Sequence, residues 1–397
     1  MRVYKCPQCG FSKATEDELW ECPKCRSPLL VKRIDAERIE KLVSTYFTYT
    51  DFKVEDSVII FKIQPSSYDF ETIKTAFEKE RYYPFLRKKE DQQYLILVEK
   101  VEQGPPNIKW NIVLFVATIA STLFAGYLLS YGLVAEGHMS NVWLGAVSFS
   151  AGIMFILGTH ELGHKYASHK NGVDATWPYF IPMPFFIIGT MGAVIKSRSP
   201  MPNNNSMIQL GASGPLCGFL VAVPLFIIGI KLSYVVPETL PVIGKGAIIY
   251  FGQSLLTGFL AETLVHVPKG CVISLHPLAI AAWAALLVTS VNLIPIGQLD
   301  GGHIARAILG ERLHRIVSYA LIGTMAVMGF PYHNPLFVWE GWLFWALILY
   351  FVIMRAGSGG SMNELGSISR FSKLLAFSAL IVFILTVIPI PLSVVQP

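Results

Sequence analysis

Charge is scarce in this chain. Of 397 residues only 15% are Asp, Glu, Lys or Arg, against 53% apolar and 12% aromatic. A soluble domain carries about 25% charged residues, so the composition excludes a disordered chain and an ordinary soluble globule for the protein as a whole. Cysteine is equally sparse: there are six, four of them within the first 25 residues, which excludes a secreted scaffold stapled by disulfides. The N-terminus lacks the apolar core of a signal peptide and the Arg- and Ser-rich pattern of a transit peptide, so the expected location is a prokaryotic plasma membrane and not an organelle. A net charge of +5 is too small, and the surroundings of the cysteines too weakly basic, to point to nucleic acid.

What is present is apolar length. Runs at 111–134, 142–164, 207–230, 277–297, 318–331, 336–354 and 374–391 predict a polytopic α-helical membrane protein of six to eight spans. Residues 246–263 are too interrupted by Gly and polar residues for a confident span and suggest an interfacial helix. Lys and Arg concentrate in alternate loops (Lys165, Lys170, Lys196, Arg198; Arg306, Arg312, Arg315; Arg355, Arg370, Lys373), which favours seven crossings with the N-terminal end cytoplasmic and the C-terminus outside. Glu340 lies within the sixth run, where an acid is expensive unless it pairs or sits near the interface.

The first hundred residues are different, with charge at soluble density up to a break at Gly104-Pro105-Pro106. Residues 1–30 contain Cys6-x2-Cys9 and Cys22-x2-Cys25, two knuckles that can close one tetrathiolate site. A structural zinc ribbon is expected, with a rubredoxin-like iron site as the alternative. The ribbon is a candidate for docking another protein. Residues 31–104 predict a small α+β domain: helices at 35–47 and 69–81, strands at 57–63, 83–88 and 93–99, and a turn at Lys89-Glu90-Asp91-Gln92. Residues 105–397 then form the membrane domain, with a core at about 110–305 and further spans at 318–391.

The most informative residues are HELGH, His160 to His164, which follow 18 residues (142–159) without a charge. On a helix, positions i and i+4 share a face, so both imidazoles can bind one zinc ion with Glu161 beside it, the core of a metal-dependent hydrolase. His160 falls roughly 27 Å along its helix at ~1.5 Å per residue. A catalytic zinc needs a third protein ligand and one open position. Asp300 is the candidate, because it ends an apolar run broken by Pro295 and Gly297 and reaches a comparable depth, where an acid is costly unless it holds a cation. HELGH by itself could also be a chance histidine pair satisfied within the bundle.

With HELGH in one span, NLIPIGQLDGG (292–302) in a later one and GASGPLCG (211–218) between, the chain resembles the site-2 protease family of intramembrane zinc metalloproteases. The wording GQLDG, the small α+β module and the lack of a PDZ-like insertion are similar to the archaeal, cyanobacterial and plastid branch. The resemblance implies His160, His164 and Asp300 as zinc ligands, Glu161 as general base, and Asn292 as a group that orients substrate or stabilises the oxyanion. Asn292 above Pro295 has an equally good reading as a cap for freed backbone groups. Many relatives have Arg where this chain has His303, a residue that reads better as a helix start than as a fourth ligand. Residues 179–195 contain two β-prone pieces divided by Gly189 and Gly192, similar to the family's membrane-facing hairpin. This makes Gly189, Thr190, Met191 and Gly192 candidates for pairing with an unwound substrate strand, or else for interfacial packing.

The expected activity is zinc-dependent endopeptidase cleavage within or near the transmembrane segment of a membrane-anchored protein, by metal-activated water with Glu161 as base. Two Zn2+ ions are expected, one catalytic and one structural. A prenyl-protein endopeptidase would use a downstream Glu ligand where this chain has Asp300. A zinc-dependent transporter or non-proteolytic scaffold would have no need of Glu161. Cys217 and Cys271 are isolated and read as small buried residues, and His138, His266, His276 and His333 as ordinary loop residues.

Overall fold

A computed structural model describes the chain except for residues 1, 7, 10–11, 16–18, 20, 28–29, 34–35, 56–57, 102–103, 105, 239–247, 331–338, 357–358 and 396–397. The chain divides into two compact units: Met1–Gly104 with Ser361–Ser367, and Pro105–Gly360 with Ile368–Pro397.

In the first unit, strands β1 (Arg2–Lys5), β2 (Ser12–Thr15) and β3 (Leu30–Arg33) form a small antiparallel sheet in the order β2-β1-β3. Then follow α1 (Ala36–Tyr46), β4 (Tyr49–Glu55), β5 (Val58–Ile63), α2 (Phe70–Lys79), β6 (Tyr82–Lys89) and β7 (Gln92–Glu99). These strands make an antiparallel sheet of order β4-β5-β7-β6. The buried residues Ile59, Phe61 and Ile63 alternate along β5, as a strand with one covered face requires. They pack with Leu95 and Leu97 of β7 against Ile39, Val43 and Phe47 of the α1 segment and Ile73 and Phe77 of α2. Asp69 caps α2 by accepting from the Thr72 N–H. The strand at 49–55 was not expected from sequence: its charged residues conceal the period-2 pattern.

The segment 361–367 departs from the expected boundary, since it belongs to this unit although it lies far along the chain. Leu86 N–H donates to Met362 O (2.7 Å), and the Arg87 guanidinium reaches Met362 O (3.2 Å) and Glu364 (3.5 Å). Leu365 packs on the same core.

The second unit is mainly helical: α3 (Ile108–Ala135), α4 (Val142–Lys170), α5 (Asn204–Lys231), α6 (Leu255–Leu264), α7 (Pro277–Asn292), α8 (Asp300–Met328), α9 (Gly341–Ala356) and α10 (Arg370–Thr386). Its short strands pair as antiparallel ribbons: β8 (Tyr179–Pro182) with β9 (Thr190–Val194), β10 (Tyr234–Pro237) with β12 (Cys271–Ser274), and β11 (Ile248–Phe251) with β13 (Leu392–Val395). Among the described residues, α3, α4 and α5 are long and apolar enough to cross a membrane. Large side chains such as Trp143, Phe155, Leu220 and Phe377 stand exposed on helix surfaces, as expected where the surrounding medium is hydrocarbon.

α7 lies at the centre of this unit. Its run of buried alanines, 279, 281, 282, 284 and 285, presents almost bare backbone, so α4 and α5 pack closely on it around Trp283 and Leu286. Three local expectations change. Within 246–263 the described residues begin at Ile248 as strand β11 and turn into α6 only at Leu255, behind a capping box of Ser254 and Thr257. The fifth run is the second half of α8, which starts at Asp300 and bends at Gly310 (φ 74°). Glu340 is exposed just before α9 and its carbonyl starts that helix, so it is not buried in a span. The part of the sixth run at 336–338, and His333, lie outside the described residues.

The β6–β7 hairpin turns through Glu90 and Asp91, both in the left-handed region (φ 50° and 62°), in the geometry that favours Asn-Gly. Asp91→Gly is therefore expected to stabilise the N-terminal unit by about 1 kcal/mol, despite losing the exposed pair with Lys88. Urea denaturation of the detergent-solubilised protein, followed by far-UV circular dichroism, checks this; an unchanged or lower midpoint contradicts it.

Candidate metal centre and active site

Helix α4 places His160 and His164 one turn apart on the face it turns to α5 and α8, and Asp300 is the first residue of α8. Their donor atoms converge, all within 4.8 Å of one another. His160 Nε2 lies 3.1 Å from His164 Nε2 and 3.4 Å from Asp300 Oδ2, and His164 Nε2 lies 3.3 Å from Asp300 Oδ1. Ligands at 2.0–2.1 Å on the corners of a zinc tetrahedron are separated by about 3.3 Å, so this donor set fits such an ion. Both histidines are buried (5% and 8% exposed).

The ring of His164 is fixed from behind. Its Nδ1 lies 2.9 Å from the Leu210 carbonyl, which can only accept, so the proton sits on Nδ1 and the Nε2 lone pair faces the cluster. This approach is possible because α5 carries glycine where it passes the site. A Cβ on Gly214 would overlap the His164 imidazole, and one on Gly211 would lie 2.5 Å from Asp300 O. The GASGPLCG segment is thus the groove that receives the ligands, and Leu210, just before it, is the supporting residue that sequence reading missed. A carbonyl has no sequence signature.

Glu161 is buried beside His160 and has no hydrogen bond or ion pair with a described residue. Asn292 is the half-buried last residue of α7 and is not a member of the ligand cluster. His303 is half-buried, one turn into α8 against Gly211, and is likewise not among the clustered ligands. His276 is no ordinary loop residue: it is a buried N-cap whose Nδ1 accepts from Leu278 N–H.

Gly189, Thr190, Met191 and Gly192 do lie in a β-hairpin, at the start of β9. Thr190 is buried, donates to Ile181 O (2.9 Å) and accepts from Gly192 N–H (3.0 Å), so it holds the hairpin together. The hairpin is bound to α3: Ser121 Oγ donates to Gly189 O (2.6 Å), and Asn111 Nδ2 donates to Trp177 O and Pro178 O (2.8 and 2.9 Å). Met191 and Phe185 remain exposed.

Among the described residues, Cys6, Cys9, Cys22 and Cys25 form the second group able to hold a metal. Cys6 Sγ lies 3.4 Å from Cys25 Sγ and Cys9 Sγ 3.4 Å from Cys22 Sγ; all four are free thiols, too far apart for disulfides. Hydrogen bonds with the Ser27 side chain and backbone bring the Cys25 thiol down to about 6, towards the thiolate a metal needs.

Residues 148–330 match the model for peptidase family M50, a segment that holds the whole His160, His164 and Asp300 cluster. Over that segment the chain is similar to this peptidase family. The chain is 26% identical over 321 residues to "Probable zinc metalloprotease EGY1, chloroplastic" of Arabidopsis thaliana, covering 74% of this chain and 56% of that protein. To "Probable zinc metalloprotease EGY2, chloroplastic" it is 32% identical over 205 residues in Arabidopsis thaliana and 31% over 205 residues in Oryza sativa subsp. indica, in each case 50% of this chain and 34% of the relative. It thus spans at most about half the length of these curated relatives. No solved structure matches.

Gly214→Ala is expected to displace the His164 ring while leaving both units folded. Metal affinity at the His160, His164 and Asp300 cluster should fall at least about tenfold, the usual effect of disturbing a ligand's support. Metal content after dialysis against a graded chelator reads this, and full retention would count against the packing argument.

Proposed function

We propose that the chain is a zinc-dependent intramembrane endopeptidase that cleaves membrane-anchored proteins within or near their transmembrane segment. The observation that carries this reading is the convergence of His160, His164 and Asp300 within 4.8 Å, from helices of a strongly apolar unit. The printed names of the relatives, zinc metalloproteases, support the same metal and chemistry. His160, His164 and Asp300 would hold one Zn2+, and Cys6, Cys9, Cys22 and Cys25 a second, structural one. When bound at the first site, zinc supplies a Lewis acid that polarises the scissile carbonyl and makes water nucleophilic near neutral pH.

The remaining work belongs to side chains. Glu161 accepts the proton of the attacking water and returns it to the leaving nitrogen, since a carboxylate is the only acid or base in HELGH besides the ligands themselves. Asn292 offers an amide N–H to the developing oxyanion. Substrate helices hide their carbonyls in their own hydrogen bonds and must unwind first. The hairpin around Gly189, Thr190, Met191 and Gly192, held by α3, would receive the unwound segment as an added strand. Seven spans in the cell membrane with a cytoplasmic N-terminal end fit the Lys and Arg distribution. In that orientation, cleavage near the inner end of α4 releases a cytosolic fragment, and the ribbon is free to dock a partner.

A transporter or scaffold built on the same metal would not need Glu161. Glu161→Gln should therefore reduce cleavage of a reporter span in liposomes by about 100-fold or more while the metal stays bound. Cleavage at the wild-type rate in that variant would remove Glu161 as the base and reopen the non-proteolytic reading.

A further inference from the structure

Asp300 is delivered to its histidines by the loop between α7 and α8, and something must hold that loop. Helix α8 consists of two parts joined at Gly310, whose φ of 74° breaks the helical path. The first part runs about 15 Å away from Asp300, at ~1.5 Å per residue. The second returns far enough that residue 318 meets the backbone of residue 297. Gly297 N–H donates to Ser318 Oγ (3.2 Å), and Ser318 Oγ lies 3.3 Å from His314 Nε2. The hydroxyl that accepts from Gly297 keeps one proton and one lone pair, so it pairs with His314 Nε2 in either ring tautomer. Both side chains are buried (His314 1%, Ser318 2%), and His314 Nδ1 has no hydrogen-bond partner among the described residues.

A buried histidine left half-satisfied is an expensive residue to keep in an apolar bundle. Among the described residues its hydrogen-bond partner is Ser318, and Ser318 in turn holds the Gly297 N–H, three residues before Asp300. Gly297 itself is in the left-handed region (φ 53°), which glycine enters without strain but also leaves easily, so a hydrogen bond to its N–H helps to fix the turn. Ile296 packs beneath it against Ile322, Met325 and Trp342. A Cβ on Gly302 would lie 2.5 Å from the Ile296 and Gly297 carbonyls, so the loop is pressed against the start of α8.

We propose that His314 and Ser318 are positioning residues for the metal centre: a chain from His314 through Ser318 to the Gly297 N–H sets the turn that aims the Asp300 carboxylate at His160 and His164. The inference rests on the proposed metal centre, and the test separates the two. The full-length protein in detergent is titrated with Co2+, whose visible d–d bands report the His and Asp site; the thiolate charge-transfer bands of the Cys6 cluster report the ribbon independently. Ser318→Ala should weaken Co2+ binding at the first site about tenfold and alter its d–d bands, with the ribbon signal unchanged. Ser318→Thr, which keeps the hydroxyl, should restore both. His314→Gln, which keeps a hydrogen-bonding group, should weaken binding less than His314→Leu, and this pair decides the matter if Ser318→Ala does not fold. Wild-type affinity and bands in Ser318→Ala or in His314→Leu would overturn the relay. Ribbon binding alone in the unmodified protein would overturn the metal centre on which it rests.

Discussion

A carboxylate and two imidazoles brought within 3.4 Å of one another inside an apolar helical bundle is the constraint on which the rest of this architecture depends. A carboxylate with so little exposure is costly unless it is paired, and a cation held between it and the two imidazoles would offset that cost. That condition dictates its surroundings. α5 has glycine where it passes His164 and Asp300, the Leu210 carbonyl orients one ring, and the chain between α7 and α8 leaves helical geometry to turn the acid inward.

The same economy explains why small residues crowd the centre of the membrane unit. Without a hydrophobic difference between lipid and protein, helices associate through close packing, and close packing needs bare backbone. The alanines of α7 and the glycines of α5 supply it. Polar residues buried on α3 serve a further purpose: Asn111 and Ser121 bind the backbone of the β8–β9 segment, so the irregular chain there is satisfied by protein. Irregular backbone beside a span thus becomes a defined hairpin, the arrangement a strand-pairing site requires.

Much of the site was legible in sequence because its spacing is local. HELGH sets two of the three clustered donors by helix periodicity alone, and the cysteine knuckles bring their thiols together by turn geometry. Asp300 could be named because an acid at the end of an apolar run demands a partner. Less visible were features that arise from distant segments. The charged strand at 49–55 has no clean alternation, yet it pairs along β5. Met362–Leu365 join a sheet almost three hundred residues earlier through backbone hydrogen bonds, which any sequence can make. The fold of α8 at Gly310 is likewise unreadable, since an isolated glycine in an apolar helix is usually tolerated without a bend.

By itself, then, the sequence determined the apolar, helical character of the chain, the division near Gly104, the two groups of side chains able to hold a metal and the residue types able to do hydrolytic chemistry. These follow from composition and from periods of two to four residues, which act over a single element. Tertiary structure alone decided the distances among His160, His164 and Asp300, the tautomer of His164, the anchoring of the hairpin on α3, and the contact of Ser318 with Gly297. Each depends on where separate helices cross, and a crossing is set by the packed surface of two elements together, which neither segment encodes alone.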